Sequence, residues 1–146
     1  MRKYITGTQG MTLIEIMVVV AIIGLIMGVV TVNVLDKLDE AKVSTTKTQM
    51  KSLGNALDQY RRDAGYYPST EQGLQALVEK PSSGRVPRNY PAKGYIKKIP
   101  RDPFDCEFIY TSPGTHGNDY EITSLGRDCA EGGEDMDADI HSYEIE

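Results

Sequence analysis

Six carboxylates fall within twelve residues: Asp128, Glu131, Glu134, Asp135, Asp137 and Asp139. At neutral pH so many like charges repel unless a cation or water separates them. Calcium accepts about six to eight oxygens at flexible angles, from carboxylates and main-chain carbonyls, so an irregular acidic loop suits it. A solvated acidic tail is the alternative. Asp135-x-Asp137-x-Asp139 opens like an EF-hand and Glu146 falls at the twelfth place. Ile140, however, stands where the sharp turn of that motif needs glycine, which excludes it. A different carboxylate, Glu15, sits just inside an apolar stretch that begins at Met11. An acid there is costly in lipid and needs a partner; a glutamate that merely reaches headgroups is the plainer reading. Cys106 and Cys129 are the two cysteines. An even count in an exported segment favours a disulfide. It would close a loop of about two dozen residues, worth on the order of 3 kcal/mol, and pin the base of the acidic loop. The alternatives are two reduced buried thiols, or a zinc site with His116 and His141, whose spacing matches no zinc signature.

The elements that must position these groups begin with a polar leader, 1–10, which carries Arg2 and Lys3 and ends at Gly10. From Ile16 to Leu35 there are 20 residues without charge. As a helix that run spans about 30 Å, enough to cross a bilayer core, with the basic leader on the cytoplasmic side. A secretory signal peptide fits poorly, because the apolar run is too long and no Ala-x-Ala pattern follows Val32. Gly24 and Gly28 make a small-xxx-small spacing that lets helices approach closely. Met50, Leu53, Leu57 and Tyr60 follow 3-4-3 spacing. They predict one long helix from Met11 to about Arg62, its second half packed on a head and its end marked by Gly65 and Pro68. Ser69-Thr70-Glu71-Gln72 has the spacing of a capping box and predicts a helix to about Lys80. Residues 81–91 read as loop, and an extended stretch starts at Tyr95-Ile96 and reaches Pro100 and Pro103. Glu107–Thr111 and Tyr120–Ser124 read as strands around a turn at 112–118, with a third at Ile140–Ile145. The fold class is α+β: a long N-terminal helix, membrane-spanning in its first half, on a small antiparallel sheet.

Net charge is −5, and residues 118–146 hold ten acidic residues against one arginine. That balance argues against nucleic acid. No Ser-His-Asp order, nucleotide loop or phosphate cradle supports a membrane-tethered hydrolase, and a carboxylate pair alone is a poor warrant for one.

Gly10-Met11-Thr12-Leu13-Ile14-Glu15 resembles the processing site of the type IV pilin and pseudopilin class. The resemblance implies a cut between Gly10 and Met11 by a prepilin peptidase, N-methylation of Met11, and Glu15 as an assembly determinant. The physics is independent of the family: a new amine and a glutamate four residues on can pair between staggered subunits, and in a low dielectric such pairing fixes the stagger. The class usually has Phe where Met11 stands, and often Pro where Val32 stands. Further on, Tyr67-Pro68-Ser69-Thr70-Glu71-Gln72-Gly73-Leu74 is similar to Y-P-T-x-x-Q-G-L. Gly94-Tyr95-Ile96 with Pro100-Arg101-Asp102-Pro103-Phe104 is similar to G-Y-[IL]-x-x-x-P-x-D-P-W. Ser124-Leu125-Gly126-Arg127-Asp128, Gly132-Gly133-Glu134 and Ala138-Asp139-Ile140 complete a pattern seen in the major pseudopilin family of type II secretion systems.

That resemblance implies three regions. They are a cleaved leader (1–10), a transmembrane and assembly helix (11–35), and a periplasmic head with a C-terminal calcium loop (36–146). It implies a non-enzymatic, single-pass subunit of the bacterial inner membrane that polymerises into a short periplasmic filament supporting export of folded proteins. Its partners would be its own copies, minor pseudopilins and an inner-membrane assembly platform. The alternative is a pilin of a surface fibre. In the family the acidic loop holds calcium, which carries over to Asp128 and Asp139 as the best side-chain ligands. Asp137 follows, with Ser124 and Glu131 offering main-chain or side-chain oxygen. This chain departs from the family by placing Cys129 where Gly often follows the matched aspartate, and Asp105-Cys106-Glu107 where Gly-Asn-Pro is usual.

Overall fold

The computed structural model describes residues 10–145; the side chains of 29–36 fall outside that description. The chain divides into two units, one ending at Leu38 and one beginning at Asp39.

Helix α1 runs Leu13–Ala64, 52 residues. It starts two residues later than the apolar pattern suggests, because Thr12 caps it. The Glu15 N–H donates to Thr12 Oγ1 at 3.3 Å, and Glu15 Oε2 accepts the Thr12 N–H at 2.8 Å. This reciprocal box satisfies N–H groups that the first turn leaves without partners. At the other end Gly65 turns left-handed, φ 82°, and its N–H returns to Arg61 O at 2.7 Å. Glycine takes that conformation without strain, and Arg61 and Arg62 in the last turn suit the negative end of the helix dipole.

In the second unit the predicted stripe is the core. Met50, Leu53, Leu57 and Tyr60 are each at most 2% exposed, packed with Leu74, Leu77, Phe108, Tyr110 and Ile122. Burying one such leucine contributes about 2 kcal/mol.

The box at Ser69 forms as predicted: the Ser69 N–H reaches Gln72 Oε1 at 3.1 Å and the Gln72 N–H reaches Ser69 Oγ at 3.3 Å. The helix that it should start does not. Only a single 3-10 turn follows, Leu74–Leu77. Two features stop it. Gly73 has φ 59°, outside the helical region. The Leu77 carbonyl would need a donor four residues on, where Pro81 has none. It accepts instead the Tyr95 and Ile96 N–H groups at 2.7 and 3.1 Å. That close crossing needs Gly94, since a Cβ there would collide with the Val78 carbonyl. The segment expected to be extended, from Tyr95 through Pro100 to Pro103, starts by bending across this turn and forms no strand.

The sheet is antiparallel, ordered β1 (Ile109–Thr111), β2 (Glu121–Ser124), β3 (Ile140–His141). Tyr110 faces Ile122 across β1–β2, both buried, while Ile109 and Thr123 point the other way. All three strands are shorter than expected. β1 starts late because Cys106 is held in a turn by Asp102. β3 ends at His141 because Ser142 Oγ accepts the Ile122 N–H at 2.9 Å, a side chain standing where the ladder would continue.

Candidate functional site

At the start of the described chain Gly10 and Met11 lie outside the helix and exposed. Gly10 is not among the left-handed glycines, and a Cβ added to it would meet nothing within 4 Å. Among the described residues nothing requires glycine there. Glu15 Oε2 also accepts the Thr12 hydroxyl at 3.0 Å. Thr12 is a residue that reading Glu15 as an assembly charge passes over; Thr-x-x-Glu ahead of an apolar run is its signal. The expected leader lies outside the described residues except for Gly10. Of the expected membrane segment, 11–35, the side chains of 29–35 lie outside that description. Among the described residues no helix is long and apolar enough to cross a membrane. The large apolar side chains from Met11 to Met27 are nonetheless exposed, from 45% at Val19 to 79% at Leu13.

At the base of the acidic loop Cys106 and Cys129 form a disulfide, their Cα atoms 5.6 Å apart. The two histidines stand apart from it. The Nδ1 atoms of His116 and His141 lie 3.3 and 3.5 Å from the carboxylate of Glu121, so the weighed alternatives of free thiols and a cysteine–histidine zinc site both fall away. Burial works to push the Glu121 carboxyl up, but the Thr115 hydroxyl, His116 and the Thr115 N–H outweigh it and hold it below the usual glutamate range.

Asp102 organises the region beside the disulfide, and sequence reasoning did not single it out. It is 4% exposed. Its Oδ1 accepts the Phe104 and Cys106 N–H groups at 3.0 and 2.8 Å, and Oδ2 accepts the Ser124 hydroxyl at 2.6 Å. A buried carboxylate needs such donors. Asp-Pro, a turn-initiating pair, was its signal.

The residues proposed for calcium are not gathered as side chains. Among the described residues no three or more His, Cys, Asp or Glu side chains are placed to hold a metal ion. Ser124 gives its hydroxyl to Asp102. Asp137 is ion-paired with Arg127, at 2.9 Å from Nε and 3.2 Å from Nη2. Glu131 is exposed. Asp128 Oδ1 accepts the Ala130 N–H, and Asp139 Oδ2 accepts the Gly132 N–H, both at 3.0 Å. Asp139 Oδ1 is buried with no hydrogen-bond partner among the described residues. A lone carboxylate oxygen in a loop of main-chain carbonyls fits a hard, oxygen-seeking cation.

A cleft of about 510 Å³ is lined by Asp58, Tyr67, His116, Asp119, Tyr120 and Tyr143, among others. Both its carboxylates are engaged: Asp58 Oδ1 accepts the Tyr67 hydroxyl at 2.8 Å, and Asp119 Oδ2 accepts Arg61 Nη1 at 3.0 Å.

Residues 33–143 match the family described as type II secretion system (T2SS), protein G. Residues 6–31 match the prokaryotic N-terminal methylation motif. Type II secretion system core protein G of Pseudomonas aeruginosa is 47% identical over 136 residues, 93% of this chain and 95% of that protein. Its counterpart in Vibrio cholerae is 44% identical over 144 residues, 99% and 97% of the two chains. A crystal structure of the major pseudopilin from the type 2 secretion system of enterohaemorrhagic Escherichia coli matches with TM-score 0.69 and 36% identity, covering 77% of this chain and 96% of that one. The fold is the α+β one expected: an N-terminal helix on a small antiparallel sheet. With both termini of the pattern matched, the methylation motif at one end and the head at the other, the chain belongs to the protein G family of type II secretion systems, the family of the major pseudopilins.

Proposed function

We propose that this structural subunit is cut between Gly10 and Met11 by a prepilin peptidase and methylated on Met11. It is then held in the bacterial inner membrane by residues 11–35, single-pass, with its head in the periplasm. It polymerises with its own copies and engages minor pseudopilins and an inner-membrane assembly platform. It has no catalytic role; the carboxylates of its polar cleft are already committed to Tyr67 and Arg61. The observation that carries the assembly reading is the apolar stem, whose large side chains are exposed on every face from Met11 to Met27. A helix apolar all round is stable only when lipid or other helices surround it. In that medium Glu15 needs a counter-charge, and the amine of a neighbouring subunit's Met11 supplies it, at the cost of the bond to Thr12. A Gly10→Leu chain is expected to keep its leader, read as intact-protein mass. A normally cut Gly10→Leu chain is incompatible with this site.

Calcium belongs to the same proposal. Asp128 and Asp139, with main-chain carbonyls of the loop, hold it. The chemistry it supplies is charge neutralisation and loop closure. The buried, unpartnered Asp139 Oδ1 supports this reading. Calcium is expected to raise the unfolding temperature of the full chain in detergent, and Asp139→Asn to remove that rise; an undiminished rise in the variant excludes Asp139.

A further inference from the structure

The acidic loop contains a cation of its own. Arg127 is the single Lys or Arg between residues 118 and 146. Its side chain grips Asp137 fork on fork, as given above, and its N–H donates to Met136 O at 3.0 Å. One residue thus ties two consecutive positions across the loop by main chain and side chain together. The main chain is shaped to allow it. A Cβ on Gly126 would stand 2.7 Å from the Asp137 carbonyl oxygen, and one on Gly133 would collide with the same atom. Both glycines are left-handed, φ 65° and 90°. Among the described residues Asp128 and Asp139 accept hydrogen bonds only from main-chain N–H groups, although the Arg127 charge also acts on Asp128 and Asp39, and Asp139 keeps Oδ1 without a partner.

We propose that Arg127 is the resident counter-cation of this loop. It withdraws Asp137 from the ligand set, closes the loop when no divalent cation is bound, and sets how tightly the loop takes one. The affinity part rests on the calcium reading above; the closure part does not. A bidentate guanidinium–carboxylate pair is stronger than a point contact, and it orients the carboxylate toward the arginine. A fixed positive charge beside a divalent site also opposes the incoming ion through Coulomb repulsion. Removing Arg127 therefore acts in opposite directions with and without metal.

The test uses the full mature chain in detergent at low salt, as wild type, Arg127→Gln, Asp137→Asn and the double variant. In EDTA, Arg127→Gln is expected to lower the unfolding temperature by about 1–3 °C, the scale of a partly exposed pair, and the double variant to fall no further. In calorimetric titration with calcium chloride, Arg127→Gln is expected to bind about tenfold tighter than wild type, about 1.4 kcal/mol. Asp137→Asn alone leaves the Arg127 charge uncompensated and should weaken binding, but by less than Asp139→Asn does; in the Arg127→Gln background it should cancel the gain. Asp137→Asn weakening the wild type as much as Asp139→Asn overturns the withdrawal of Asp137. An unchanged unfolding temperature for Arg127→Gln in EDTA overturns loop closure. No calcium heat from any of the four proteins overturns the calcium reading and the affinity claim together, and leaves the EDTA result to decide closure by itself.

Discussion

The stem and the head use the same helix to opposite ends. Between Met11 and Met27 apolar residues cover every face of α1, and Leu25 is 74% exposed. In the same helix, 32 residues after Leu25, Leu57 is fully buried in one apolar stripe flanked by polar residues. The backbone is the same; the difference lies in where the partner comes from. The head brings its own, in Leu77, Tyr110 and Ile122. For the stem, the partners we propose are lipid and further copies. Exposure is a defect in one region and the working state of the other.

That contrast breaks most sharply at Glu15. Replacing it with leucine makes the stem more apolar and leaves the head untouched. If apolar contact alone assembled the stem, Glu15→Leu would form filaments as well as wild type. If charge pairing sets the stagger, the variant is cut normally yet yields no filaments by electron microscopy, with its mature mass confirming the cut. This is the largest effect expected, a loss of assembly altogether.

The next comparison sets two leucines side by side. Leu57→Ala removes side-chain packing from the centre of the core and is expected to cost about 2–5 kcal/mol in denaturant unfolding of the full chain in detergent. Leu25→Ala, in the stem, is expected to stay within about 0.5 kcal/mol on the same head-reporting signal. Equal losses would mean that the two regions do not differ in the way described.

How much of this was legible in the sequence follows from the same distinction. The stripe Met50-Leu53-Leu57-Tyr60 was legible because burial against one face leaves a 3.6-residue period. The Glu15 charge was visible as a carboxylate inside an apolar run, and the Cys106–Cys129 pair as an even cysteine count in a segment read as exported. What misled were local signals overridden from a distance. The Ser69 box formed, yet its helix stopped at the Gly73 φ and the missing Pro81 N–H, and Tyr95 and Ile96, 18 and 19 residues further on, took the Leu77 carbonyl instead. The Asp102 hub joins residues 22 apart in sequence, through Ser124, and no short window contains both. The grip of Arg127 on Asp137 was hidden among the carboxylates. Six acids in a row of twelve read as a ligand set, and the one arginine beside them entered only the charge balance.

Cysteine replacement sharpens the comparison within the head. With the bond 23 residues apart in sequence, Cys106→Ser with Cys129→Ser is expected to cost about 3 kcal/mol in the full chain. Hydrogen exchange should localise the loosening to 102–139 and spare α1. A loss spread evenly over the core would place the disulfide's effect elsewhere than the loop base.

The smallest effect compares two carboxylates that accept the same pair of groups. Glu15 Oε2 takes the N–H and hydroxyl of Thr12 at 2.8 and 3.0 Å; Glu121 Oε2 takes the N–H and hydroxyl of Thr115 at 3.3 and 2.7 Å. The stem's glutamate is exposed, and the partner proposed for it lies on another subunit. The head's glutamate is 6% exposed and completes its shell with His116 and His141 from its own chain. Its carboxyl is held below the ordinary value of 4.5. The folded state thus favours the charged form more than the unfolded chain does. The resulting stability is complete above that ordinary value and is lost as pH falls through the lowered one. Glu121→Gln removes the titrating group while keeping the shape. Its unfolding temperature should therefore lie below wild type by a constant margin at higher pH, and the gap should narrow on acidification below the ordinary glutamate value, by a degree or so in all. A gap that holds steady from about pH 6 to pH 3 would mean that Glu121 contributes through packing alone, and that its likeness to Glu15 ends at geometry.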